Sequence, residues 1–209
     1  MNEKILHKKN LSNKNTPPDI TLVIASLEYF HPISEGIKNY FRKHSFACSF
    51  LKGKLLLKAG QLSEHIYFIK KGAVRGFIKE GTKDITTWIT VEGEVVSSIS
   101  SLDNREPALE NMQAIEDCEL VALTWTDYQD LFTRFPEFNI VARKILQKYY
   151  QDAEGRAFIA RLTKAENKYL LFMKRYGHLA NRIPLKYIAS FLGITLETLS
   201  RVRKRLSLK

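Results

Sequence analysis

The sequence predicts an α+β protein: an antiparallel β-sandwich or barrel preceded by short helices, then a long helix, then a helix-turn-helix. Three observations carry this. Glycine recurs at 53, 60, 72, 76, 81 and 93 between short runs rich in β-branched and aromatic residues, the texture of antiparallel strands joined by turns. After Pro136 the apolar spacing becomes helical. Charge is also divided unevenly: residues 1–140 carry 17 basic and 18 acidic side chains, whereas residues 141–209 carry 16 basic and only 4 acidic. A neutral front and a strongly basic end read as a sensing or structural module joined to one that binds a polyanion.

The elements follow in order. Residues 1–19 are polar, rich in Lys and Asn, and end near Pro17-Pro18, so a mobile lead-in is expected. From Ile20 to Lys43 the apolar spacing is helical and Pro32 divides it into two short helices, the second carrying Ile33, Ile37, Tyr40 and Phe41. The strand runs are Lys54–Leu57, His65–Ile69, Val74–Lys79, Ile85–Ile89, Val95–Ile99 and Leu120–Leu123. In the long helix, Ala142, Leu146, Tyr149, Ala153, Arg156 and Ala160 are spaced by four and three residues. Such a seam suits a dimerising helix, with Ala142, Leu146, Tyr149, Ala153 and Ala160 at the interface, or an amphipathic helix packed on its own domain. Gly155 inside it fits a close helix approach or a local bend. Thr163-Lys-Ala-Glu166 has the form of a capping box and marks the start of a new helix and a domain junction.

The last 27 residues are the most informative. Ile188, Ala189, Leu192, Gly193, Ile194, Leu199 and Val202 are the set that two helices crossing through a tight turn require. Ala189 must be small, and Gly193 supplies the left-handed conformation that ends the first helix. On the second helix Leu199, Val202 and Leu206 share one face, and Glu197, Ser200, Arg201 and Lys204 lie opposite, flanked by Arg203 and Arg205. Thr195 is placed to cap this helix. Arg201 and Glu197 suit base reading in a major groove, Lys186, Lys204 and Arg205 suit phosphate, and Leu196 suits a thymine methyl. Thr195, Thr198 and Ser200 complete the expected DNA-binding set.

The composition excludes other classes. The chain is long enough for one large or two small domains, and 44% hydrophobic residues argue against wholesale disorder. No run approaches the roughly 18 apolar residues of a membrane helix, and the first residues lack the apolar core of a secretory signal. Cys48 and Cys118 are too far apart in sequence, with no metal-ligand spacing, so neither a metal site nor another cofactor is expected, and a cytoplasmic location is. The basic third offers only Asp152, Glu154, Glu166 and Glu197, without the spacing of a metal-dependent nuclease; no catalytic residues are assigned.

From about residue 20 to the end the chain resembles the Crp/Fnr family of transcriptional regulators, the cyclic-AMP receptor proteins. The motifs are Leu51-Lys-Gly-Lys-Leu, Gly60, Ile66-Tyr-Phe-Ile-Lys-Lys-Gly72-Ala-Val-Arg, Glu92-Gly-Glu94, the long helix after Pro136, and Gly193-Ile-Thr-Leu-Glu-Thr-Leu-Ser-Arg201. The resemblance implies a cyclic-nucleotide-binding-type β-roll (jelly roll) over 20–135, a dimerisation helix over 136–162 and a helix-turn-helix domain over 163–209. It also implies a homodimer on a pseudo-palindromic double-stranded DNA site, with RNA polymerase a further partner and no membrane association. Binding of nucleic acid without sequence preference is the alternative, and it predicts affinity that collapses with salt.

Departures from the family pattern bear on the effector. Nucleotide-binding members follow the Gly-Glu pair with an Arg-Ser or Arg-Thr pair that neutralises the cyclic phosphate. Here Gly93-Glu94-Val95 is present, but Ala108-Leu109 stands where that pair belongs, with Arg105 nearby as a substitute if the loop is rearranged. Ala153 and Glu154 replace the hydroxyls that reach the base. A phosphate buried without cation or hydroxyl is poorly compensated, so no cyclic-AMP response is expected, and any small-molecule effector is a different one. Oxygen-sensing cysteines are absent, and none of the five histidines marks a haem site. Only eight residues follow Arg201, too few for a β-hairpin wing. Leu196 stands where well-studied members carry a base-reading arginine, so the DNA site should differ from theirs.

Overall fold

The computed structural model describes residues 18–207, so the expected lead-in lies almost wholly outside the described residues. Two compact units form: residues 18–76 with 89–146, and residues 77–88 with 147–207.

In the first unit, helices α1 (Thr21–Phe30) and α2 (Glu35–His44) precede the strands. The Ser34 hydroxyl caps α2 by accepting from Ile37 N–H, whereas α1 has no side-chain cap at Ile20 and its Thr21 N–H bonds the Asp19 carboxylate just ahead of the helix. His31 is extended before Pro32, which ends α1. Eight strands follow: β1 (Phe46–Phe50), β2 (Leu55–Leu57), β3 (His65–Lys71), β4 (Val74–Glu80), β5 (Lys83–Thr90), β6 (Val95–Val96), β7 (Asn111–Ala114) and β8 (Cys118–Thr124). They make two four-stranded sheets, ordered β1-β8-β3-β6 and β2-β7-β4-β5.

The sequence runs correspond to β2, β3, β4, β5 and β8. The run Val95–Ile99 is shorter than expected: pairing stops at Val96, and Ile99 opens helix α3 (Ile99–Asn104). The imperfect alternation of β3 has a physical cause. Ile66 and Phe68 join Val121 and Leu123 under α1, α2 and α4 (Trp125–Arg134), together with Phe41, Phe138 and Ala142. Tyr67 and Ile69, pointing the other way, are buried as well. A strand buried on both faces reads as a continuous apolar run rather than an alternating one.

Helix α5 (Phe138–Arg161) runs through 24 residues, and α6 (Ala165–Tyr176) follows it. The Thr163 capping box does not form. Lys164 occupies the cap position and no side chain caps the helix there, while the Glu166 carboxylate lies 3.5 Å from Arg205. Gly155 is explained by close approach: a Cβ there would overlap the guanidinium of Arg175 on α6. Helices α7 (Leu185–Leu192) and α8 (Leu196–Ser207) complete the second unit. Phe172 and Tyr176 of α6 meet Phe191 of α7 edge-on, at 5.8 and 5.7 Å between ring centres. Among the described residues no helix is long and apolar enough to cross a membrane.

Candidate nucleic-acid interface

The turn between α7 and α8 fixes the site. Gly193 has φ 62° and ψ 42°, the left-handed conformation that penalises any side chain. Its N–H bonds Ser190 O at 3.0 Å, and Ile194 N–H bonds Ala189 O at 3.0 Å, a Schellman closure of α7. Beneath it Ile188, Ala189, Leu192, Leu199 and Val202 are all buried, as the sequence pattern requires.

Lys168, which the sequence pattern does not single out, holds this turn, and Arg203 is turned away from the outward face expected for it. Lys168 of α6 is 9% exposed and donates from Nζ to Leu192 O at 2.9 Å, placing positive charge at the carbonyl end of α7. It lies four residues before Phe172 on the buried face of α6, so a helical wheel carries the signal for it. Arg203 donates to Ala180 O at 3.0 Å and to Asn181 Oδ1 at 3.2 Å, so it ties α8 to the preceding loop rather than flanking an outward face.

Opposite the wedge, Leu196, Glu197, Ser200, Arg201, Lys204 and Arg205 are exposed along α8, and Lys186 is exposed on α7. Thr195 caps the helix: its hydroxyl accepts from Thr198 N–H at 3.2 Å. Thr198 is half-buried, and its Oγ1 accepts from Arg201 at 3.3 Å. The Glu197 carboxyl is held below its ordinary range by its own backbone N–H, then by the Thr195 hydroxyl and the Arg201 charge. The result is one ionised acceptor and one extended guanidinium, four residues apart on one helix face. Arg205 pairs with Glu166, so its charge is partly offset.

The residues expected around an effector lie on two segments, 93–95 and 105–109. Gly93 N–H bonds Ile69 O, and Ile69 N–H bonds Glu94 O, which stitches this turn to β3 next to Val95. The Glu94 carboxylate accepts from Val91 N–H in its own turn. Ala108 is buried and bonds Gly60 and Gln61 through its backbone, whereas Leu109 is 84% exposed and points away. Arg105, at φ 56°, donates to Ser63 O at 3.0 Å and Glu64 Oε1 at 2.8 Å, and lies 4.7 Å from the Trp125 ring centre. Its charge is engaged there by a carbonyl, a carboxylate and a ring face.

Along α5 the seam residues differ in burial. Ala142 is buried in the core with Phe138 and Val141. Leu146, Tyr150 and Phe158 are 51%, 75% and 51% exposed, Ala153 and Ala160 are exposed, and Tyr149 is half-buried.

With this geometry, the comparisons with known proteins agree. Residues 47–135 match the cyclic nucleotide-binding domain family, joined here to a helix-turn-helix. The chain is thus similar to cyclic-nucleotide-binding-type transcription regulators of the Crp/Fnr kind. It is 28% identical over 170 residues to the cyclic AMP receptor protein of Thermus thermophilus, covering 78% of this chain and 76% of that one. It is 24% identical over 166 residues to the anaerobic regulatory protein of Haemophilus influenzae, covering 74% of this chain and 64% of that protein. Among solved structures, the T. thermophilus catabolite activator protein aligns with TM-score 0.51 and 26% identity, over 87% of this chain and 86% of that one. The c-di-GMP-responsive regulator CLP of Xanthomonas campestris aligns with TM-score 0.64 at 18% identity, over 84% of this chain and 92% of that one, a likeness of fold.

Proposed function

We propose that this protein is a cytoplasmic, homodimeric transcription regulator that binds DNA sequence-specifically, and that its roll does not respond to cyclic AMP. The observation that carries the DNA reading is the exposed face of α8, where Glu197, Ser200, Arg201 and Lys204 stand outward from a turn fixed by Gly193 and Lys168. Arg201 and Glu197 read bases; Lys186, Lys204 and Arg205 meet phosphate; Leu196 contacts a thymine methyl. The roll over 20–135 is the sensor module, 136–162 the dimer helix and 163–209 the DNA-binding module.

Self-association is supported by the stripe Leu146, Tyr150, Ala153, Ala157 and Ala160, spaced by four and three residues along α5, in which Ala157 is half-buried and the other four are exposed. A two-fold dimer places its recognition helices about 34 Å apart, roughly one DNA turn. Loss of the cyclic-AMP response rests on Ala108-Leu109 and on the engaged charge of Arg105. RNA polymerase is a further partner, and no catalytic role is assigned.

Selection of bound duplexes from a random pool, with and without cyclic AMP, tests this. The expected product is an inverted repeat with one-turn half-site spacing, unchanged by the nucleotide. A repeat recovered only with cyclic AMP overturns the effector reading, and the absence of any enriched sequence overturns the DNA reading.

A further inference from the structure

Strand β5 ends the order β2-β7-β4-β5, so one of its sides has no neighbouring strand in the sheet. Edge N–H and C=O groups must find other partners when buried, and Thr86 on this strand is only 3% exposed. The second unit supplies one. Ser190 Oγ of α7 accepts from Thr86 N–H at 2.9 Å and donates to Asp84 O at 2.9 Å. One hydroxyl thus serves both a donor and an acceptor of the hairpin edge, as a residue of an added strand would.

The backbone of the same serine is already in use: its carbonyl accepts from Gly193 N–H in the turn that launches α8. Hairpin edge, Ser190 and recognition-helix turn therefore form one chain of short polar contacts inside the second unit. We propose that Ser190 is a positioning residue, a latch through which the β4–β5 hairpin sets the orientation of the helix-turn-helix. Ser190 itself touches no base in this account. Its work is to hold the DNA-binding element in place before binding, so that two half-sites can be engaged together without a further ordering cost. The inference rests on the DNA-binding reading above.

The test uses the full-length protein with Ser190→Ala and Ser190→Thr, the second retaining the hydroxyl. Three quantities are measured: amide exchange at Thr86, affinity for the selected inverted-repeat duplex, and affinity for a duplex holding one half-site. Ser190→Ala is expected to speed Thr86 exchange and to weaken inverted-repeat binding about tenfold, near the scale of two lost net hydrogen bonds, with half-site affinity unchanged. Ser190→Thr is expected to keep both close to the parent values. Unchanged Thr86 exchange in Ser190→Ala overturns the latch. Equal losses on the full and half sites overturn the positioning role and leave Ser190 a residue of local helix stability. If the parent protein binds neither duplex, the DNA reading fails and the positioning role with it, while Thr86 exchange still decides whether the hydrogen bonds form.

Discussion

Arg105 and Arg201 make an instructive pair. Both stand in segments that the sequence marks as binding loops or helices, and both carry the same charge. Arg105 is turned onto its own unit by Glu64, the Ser63 carbonyl and the Trp125 ring. Arg201 is exposed on α8, where its hydrogen bond is to the Thr198 hydroxyl one turn away. The difference lies in what surrounds each residue. A left-handed backbone at Arg105 aims its side chain at acceptors from the β2–β3 connection, whereas a regular helix holds Arg201 away from the core. A guanidinium held by a carboxylate, a carbonyl and a ring must give up those contacts before it can meet a ligand; one held outward on a helix gives up only its bond to a neighbouring hydroxyl.

Mutations can break this comparison, beginning with the support beneath α8. Phe172 is 1% exposed between Tyr169 and Phe191, so Phe172→Ala is expected to cost about 3–5 kcal/mol. Thermal unfolding should show the loss, and DNA binding should go with the second unit's stability. Arg201→Ala, by contrast, should leave unfolding unchanged and cost about 1–3 kcal/mol in binding, with specificity relaxed at a single base position. A uniform loss across all sequences would place Arg201 on phosphate instead. Gly193→Ala puts a Cβ into the left-handed region and should destabilise by about 1–2 kcal/mol, read by denaturant unfolding. Arg105→Ala removes a part-exposed ion pair, so its effect on unfolding should stay within about 1 kcal/mol, and DNA affinity should not change.

The smallest expected effect is one of pH. The Glu197 carboxyl sits below its ordinary range, so whatever its ionised form contributes is present above the unfolded-state value and is lost only as pH falls through the lower folded-state value. Base preference at the Glu197 position should therefore be constant between about pH 5 and pH 8. Titrating the selected duplex against its single-base variant across that range checks it.

The helix-turn-helix was legible because its constraints are local: a glycine at the turn, a small residue at the crossing, and an apolar wedge at fixed spacing. The roll was legible in outline only. Strand β1, Phe-Ala-Cys-Ser-Phe, and strand β7, Asn-Met-Gln-Ala, contain no β-branched residue and form because β8 and β2 pair with them, which no window of sequence displays. The same reason hid Ala142: its seam spacing is correct, yet the start of α5 is covered by the roll's own helices. Arg105 could not be placed because its direction depends on a positive φ set by tertiary packing. Lys168 and Ser190 were readable as positions on a buried or crossing face, but their partners, Leu192 O and the β5 edge, are distant in sequence.

The most direct test of the central claim is the ratio of affinities for the selected inverted repeat and a scrambled duplex, measured across a range of salt. The account predicts specific binding at least about 10³-fold tighter at physiological salt, with the preference for the repeat persisting as salt rises. A ratio near one, with both affinities collapsing together as salt rises, would contradict it and leave only a basic surface that grips any polyanion.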